Sequence, residues 1–262
     1  MKIEFIGKSL LIEMGNEKVL VVGDLHLGYE GSLHESGYNV PINLYKETIK
    51  DFDKIFDYIR NNKKVKLSKQ TVGEVGLDDN NLRSGGVVDK VVILGDLKHE
   101  FGKILKDEWK EISDLLDYLK EKCKKIIIVK GNHDVIIEPI TKKKKVGVLD
   151  YWIYHNYCFL HGDRDFSDIY DREIKYWIIG HGHPAISLRD KVKTEKYKCF
   201  LVGKYKGKKV IIVPSFFHVT EGSDVRDYDL GLAWNFELKK FGVKIVGENL
   251  EVLDFGELRK LR

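Results

Sequence analysis

The stretch "VLVVGDLHLG", residues 19–28, decides how this chain is read. A run of aliphatic residues stops abruptly at Gly23 and Asp24, and His26 follows two places on. Buried strands of parallel sheets read as such continuous apolar runs. Open α/β sheets place their ligand sites beyond the carboxyl ends of the strands. A near-copy, "VVILGDLKHEFG", spans 91–102, but there Asp96 and His99 stand three apart. In an extended segment, residues two apart point to the same side and residues three apart generally do not. Asp24 and His26 are therefore expected to grip one ion together. Asp96 enters the cluster alone, and His99 is carried past it.

Three further strand ends follow the same plan. "IIIVKGNHD" (126–134) ends at Asn132, His133 and Asp134, "YCFLHGD" (157–163) at His161, and "YWIIGHGH" (176–183) at His181 and His183. Five of the nine histidines stand at these ends, and His99 lies just after one. Unrelated turns would have to repeat the same strand-then-glycine context by accident. The glycines permit tight turns and close backbone approach. Imidazole, carboxylate and amide oxygen together suit manganese, iron, zinc or nickel. The groups are too many for one ion and suit two. Two ions about 3.5–4 Å apart activate a bridging water and clamp the attacking and leaving oxygens of a displacement at phosphorus. A carboxylate between two cations is the natural bridge.

Bulk properties narrow the class. Of the 262 residues, 33% are charged and 43% hydrophobic, and the net charge is +4. This is a globular composition, not a disordered one, and not that of a polycation. The basic runs "KKVKLSK" (63–69), "KEKCKK" (120–125) and "KKKK" (142–145) read as solvated surface ahead of nucleic-acid patches. Cys123, Cys158 and Cys199 are scattered with no C-x-x-C pair, which points to a reducing, cytoplasmic setting. No apolar run approaches the ~18 residues of a membrane span. The N-terminus reads as a strand pair, not a signal peptide.

Strands are predicted at 3–6, 10–13, 18–22, 90–94, 125–129, 146–154, 157–160 and 176–179. The strand-rich last third adds 197–202, 209–213, 229–238, 241–246 and 250–255. Tyr45, Ile49, Phe52, Phe56 and Ile59 recur at helical spacing, with Asn43 as N-cap, so 44–60 reads as a helix. Trp109, Ile112, Leu116 and Leu119 mark another at about 105–121. The glycine-rich 63–86 reads as an inserted surface loop. No linker divides the chain, so 1–262 is expected to be one domain, a layered sheet protein with helices outside.

The ordered set D-x-H, G-D, G-N-H-D, H and G-H-x-H resembles the calcineurin-like metallophosphoesterases. "GDLHLG" and "GDLKHE" are similar to the SbcD-type DNA repair nucleases and the small archaeal and bacterial phosphoesterases related to them. The resemblance implies an αββα sandwich, two mixed sheets flanked by helices, with a dimetal site at one end. It implies two divalent ions, manganese foremost. Asp24, His26 and His183 would hold the first, Asn132, His161 and His181 the second, and Asp96 both. It casts His133 as the catalytic histidine that is not a ligand. Asp134 would orient His133, or simply shape a turn. His99 would handle substrate near the phosphate, or else support a ligand. His218, in "PSFFHVTEGSDV" (214–225), reads as structural beside a loop at the site rim. The implied activity is hydrolysis of phosphodiesters, as in a nuclease on single-stranded DNA or DNA ends. Phosphomonoesters or small nucleotides are the alternative substrates, and a non-catalytic protein-binding scaffold is a third reading. The larger nucleases dock a coiled-coil ATPase through a C-terminal region, but the tail here reads as further strands, so no such partner is expected. No membrane is implied, and the oligomeric state is left open.

Overall fold

The computed structural model describes residues 2–38, 43–70, 86–190, 192–226 and 230–261, the side chains of 63–70 excepted. β1 (Lys2–Ile6), β2 (Ser9–Met14), β3 (Glu17–Val22), β4 (Val88–Leu94), β5 (Cys123–Val129) and β6 (Gly147–Leu149) form one sheet in chain order. The first three strands are antiparallel, and β3 to β6 run parallel. The second sheet contains β7 (Tyr151–Tyr154), β8 (Tyr157–Leu160), β9 (Tyr176–Ile179), β10 (Pro184–Arg189), β11 (Thr194–Tyr205), β12 (Lys208–Ile212) and β13 (Ser223–Asp224). Its order is β13-β10-β11-β12-β9-β8-β7. β14 (Gly242–Val246) also pairs with β11 and carries β15 (Val252–Glu257). In this sheet β8, β9 and β12 run parallel. The helices are α1 (Tyr29–Glu35), α2 (Leu44–Gln70), α3 (Lys106–Lys122) and α4 (Glu138–Lys143).

Strand side chains alternate between two faces, and both faces here are apolar. Val19 and Val21 of β3, Val92 and Leu94 of β4, and Ile127 and Val129 of β5 point into the layer between the sheets. They meet Tyr157, Phe159, Ile178 and Ile211 from the second sheet. The intervening residues, such as Leu20, Ile93 and Ile128, face Phe52, Phe56, Ile112 and Leu116 of α2 and α3. Each such buried aliphatic contributes about 1.5–3 kcal/mol. The apolar runs thus bury on both faces and stop together, which brings their polar ends to one edge.

The layer over the second sheet has its own chemistry. Cys158, Leu160, Trp177, Ile179 and Ile212 are covered by Ile169, Trp234, Phe236 and Phe241. Among the described residues this cover is coil and short 3-10 turns, while the helices lie on the first sheet's side. The strand predicted at 229–238 is not formed over 230–238; Trp234 and Phe236 act there as plugs in a coil. The loop predicted at 63–86 also needs correction, because α2 continues through Gln70; 71–85 lie outside the described residues. The 146–154 strand is two strands in two different sheets, β6 and β7. All three cysteines are buried and free, and burial pushes their thiols up. No helix among the described residues is long and apolar enough to cross a membrane.

Candidate metal centre

Asp24 and His26 follow β3, Asp96 follows β4, Asn132 and His133 follow β5, His161 follows β8, and His181 and His183 follow β9. These residues meet at one edge of the sandwich. Three donor groups result among the described residues: Asp24, His26, Asp96 and His183; Asp96, His161 and His181; and His26, His99 and His133, which lacks a carboxylate. Asn132 joins the second, its Oδ1 3.0 Å from His161 Nε2. Within each group the ligand atoms lie within 4.8 Å of one another.

The expectation of an extended Asp24–His26 pair is not met. Asp24, His26, Asp96, His181 and His183 are all left-handed, with φ of 56°, 48°, 48°, 62° and 40°. Asp and His enter this region more readily than most residues. Holding such conformations costs on the order of 1 kcal/mol each, and they cluster at functional sites. The turn, not strand alternation, brings Asp24 and His26 together. Glycine allows the loops to interlock. A Cβ on Gly131 would lie 2.2 Å from Asp96 Oδ1, and one on Gly95 (φ 78°) 2.4 Å from His161 Nδ1.

The donor chemistry fits a cation. His161 Nδ1 lies 2.7 Å from the Leu94 carbonyl, which fixes the Nδ1 proton and aims Nε2 into the cluster. That Nε2 meets Asn132 Oδ1 at 3.0 Å, Asp96 Oδ1 at 3.4 Å and His181 Nδ1 at 3.0 Å. Two of these are pure acceptors, so a neutral Nε2 is ill-matched without a positive charge between them. Burial opposes charging His161, but Asp96 and Asp24 override it and lift the ring to about 9. A divalent cation satisfies the same acceptors and displaces that proton.

In the first group His26 Nε2 lies 3.4 Å from His183 Nε2, and His183 Nε2 3.4 Å from Asp24 Oδ1. Burial pushes His26 down to about 3, which keeps it neutral and free to ligate. Burial also opposes ionisation of the two aspartates, but His183 beside Asp24 and His161 beside Asp96 hold both carboxyls below their usual range.

His133 sits at the mouth. Its Nδ1 bonds the His99 carbonyl, and its Nε2 lies 3.9 Å from Asp96 Oδ2. His99 stands edge-on to His26 and Tyr29; burial, then the charge of His133, lowers its basicity. Asp134 does not touch the His133 ring. Its buried carboxylate accepts from Gly131 N–H at 3.0 Å, Leu97 N–H at 3.0 Å and Lys98 N–H at 3.2 Å, so it ties the β4 and β5 loops together. The residues 214–218 run along the first loop: Ser215 Oγ donates to the Asp24 carbonyl at 3.0 Å, and the Phe217 ring lies 5.3 Å from His26. His218 packs behind, 3.5 Å from Asp51.

Sequence reasoning missed two buried charges behind this wall, Lys98 and Glu108, which face each other at 3.9 Å. It also missed the aromatic rim of Tyr29, Phe101 and Phe217. Lys98 and Phe101 lie inside the second Gly-Asp-Leu stretch and Phe217 inside 214–225, but none is a ligand type at a strand end, so none stood out.

The chain superposes on the Pseudomonas putida nuclease MPE with a TM-score of 0.57 and 15% identity, over 94% of this chain and 100% of that one. Vps29 from Chaetomium thermophilum matches with a TM-score of 0.33 and 13% identity, over 91% and 93% of the two chains. A Vps29 single mutant from Entamoeba histolytica gives 0.30 and 14%, over 91% and 99%. No curated protein sequence matches the chain. The sequence profile of the calcineurin-like phosphoesterases matches residues 17–247, and the chain belongs to that family.

Proposed function

We propose that the protein is a dinuclear, metal-dependent phosphodiesterase acting on nucleic-acid strands or strand ends, with manganese as the foremost ion. The observation that supports this most is Asp96, a carboxylate shared by the two donor groups that contain one. In this reading Asp24, His26 and His183 hold one ion, Asn132, His161 and His181 hold the other, and Asp96 is shared. Bound divalent ions supply Lewis acidity toward the phosphoryl oxygens and activation of water. His133 does the proton work. With its Nδ1–H held by the His99 carbonyl, Nε2 faces the cluster and, when the ring is the imidazolium, can pass its second proton to the leaving oxygen. His99 walls the substrate side, and Asp134 sets the backbone from which His133 projects. The nuclease activity named for the Pseudomonas neighbour agrees with this reading, and extending it to this chain is our inference.

The test is turnover by manganese-loaded protein of bis-p-nitrophenyl phosphate, p-nitrophenyl phosphate, single-stranded DNA and duplex ends. The diester should outpace the monoester. His133→Ala should keep its metal by mass spectrometry and lose roughly 10²–10⁴-fold in rate. If both the diester and DNA stay intact, the proposal fails. A His133→Ala enzyme of near-normal rate would overturn the assigned roles.

A further inference from the structure

A cavity of about 350 Å³ is lined by Lys8, Lys54, Lys196 and Lys198, and Asp51 and Glu221 are the acids among its described lining residues. Asp51 is heavily shared: its oxygens lie 2.7 Å from Lys8 Nζ, 3.8 Å from Lys54 Nζ and 3.5 Å from His218 Nε2. Lys198 is held by the Thr220 carbonyl at 2.6 Å, and among the described residues Glu221 and Asp24 act on its charge without forming a close ion pair. Burial, reinforced by Lys8, pushes the Lys198 ammonium down to about 7. Burial likewise lowers Lys8 despite Asp51. Four lysines against two carboxylates leave the lining with excess positive charge when protonated, and an anion placed there would hold the ammoniums in that form.

The cavity adjoins the metal centre: Lys8 Nζ donates to the Phe216 carbonyl at 3.0 Å, and the next residue, Phe217, donates its N–H to the Asp24 carbonyl at 3.1 Å. The exposed Phe101 ring lies over His133, centroids 3.6 Å apart. His133 lies 4.8 Å from His26, and His26 5.3 Å from Phe217. His218 is next in the chain, and its Nε2 lies 3.3 Å from Lys8 Nζ. Successive contacts thus lead from an open aromatic face past the metal ligands to the lysines. Proteins that hold single strands combine these two elements, a basic groove for phosphates and aromatic faces for bases.

We propose that the Lys8, Lys54 and Lys198 cavity binds a second phosphate of a single nucleic-acid strand whose scissile phosphate lies at the metal centre, with Phe101 stacking a base on the opposite flank. This rests on the phosphodiesterase reading and adds its substrate class. A monoester or a small nucleotide would leave the cavity unused; a strand fills both.

The test is fluorescence anisotropy of the metal-loaded protein with a labelled phosphorothioate single strand about twelve nucleotides long, resistant to cleavage. Lys198→Gln should raise Kd about fivefold to tenfold, the loss of one charge-assisted contact. It should also flatten the slope of log K against log salt by about 0.7. Lys54→Gln, a solvent-facing change with little bearing on folding, should move both readouts in the same direction. Lys110→Gln, on the outer face of α3, should match wild type. No strand binding by wild type, or wild-type affinity and salt slope in both Lys198→Gln and Lys54→Gln, overturns the proposal. Failure of the phosphodiesterase reading is read separately, as intact bis-p-nitrophenyl phosphate, while strand binding still reports on the cavity.

Discussion

The two Gly-Asp-Leu stretches run side by side, but one residue out of step. β3 and β4 pair Val22 with Ile93, and the ladder resumes beyond the strands with Leu27 beside Lys98. In that register Asp24 meets Gly95, whose carbonyl accepts the Asp24 N–H at 3.1 Å, and Asp96 comes opposite Leu25. A one-residue stagger along a strand is about 3.3 Å. Asp24 therefore serves one donor group, while Asp96 reaches into the two that contain a carboxylate. The stretches then end on different glutamates of α3. Gly28 N–H donates to Glu111 at 2.8 Å, whereas His99 and Glu100 N–H both donate to Glu108, at 3.0 and 2.6 Å. Glu108 also has Lys98 nearby; Glu111 has Glu30, Asp107 and Glu108 around it instead. Near-identical sequence does two jobs because register and anchoring differ.

The comparison breaks first if the two aspartates behave alike. Asp96→Asn should bring bound metal below about one ion per chain and cut turnover by roughly 10²–10³-fold or more, whereas Asp24→Asn should retain about one ion. Metal analysis and rates decide this. Next in size is the Glu108 anchor. Glu108→Gln removes the largest counter-charge of buried Lys98 and leaves it Asp134 and weaker neighbours, a loss of up to about 3–5 kcal/mol seen in denaturant titration. Adding Lys98→Met should recover part of it; simple additivity would sink the pairing. His99→Ala should lower kcat/KM on DNA about tenfold with metal content unchanged, which sharpens its separation from the ligand His26. The smallest effect concerns the other anchor. Burial, ahead of its acidic neighbours, pushes the Glu111 carboxyl up to about 7, above an unfolded value near 4.3. The folded state then binds the extra proton, so this group's stability is full below about pH 4 and is lost as pH rises through 7. Glu111→Gln should thus melt a few degrees higher than wild type at pH 8 and about equally at pH 4.

Much of this was legible because the five strand ends combine two signals, a buried apolar run and a polar stop. The parallel strands bury both faces, so β4, β5, β8 and β9 stand out without any alternation to find. The features that escaped have weaker or opposing signals. β10 begins at Pro184 and alternates polar residues, which is tolerable only at a strand's first position. α1 is seven residues long with Gly31 inside, too short for periodicity to speak. The stretch 229–238 read as a strand, but Leu230, Trp234 and Phe236 are buried because they cover a sheet instead of joining one. The left-handed turns at Asp24 and His26 were invisible for another reason. Histidine and aspartate tolerate that conformation, so no glycine announces it.

Those left-handed residues also govern which substitutions can be interpreted. At Asp24, His26, Asp96, His181 and His183 the side chain and the backbone angle are separate requirements. Asparagine and glycine meet the backbone requirement, while valine, isoleucine and threonine do not. A saturation library at these five positions should therefore lose its β-branched members from the folded pool before any selection for activity is applied. Among the survivors, asparagine variants give the cleanest measure of what each ligand atom contributes, because they change the donor and leave the turn in place.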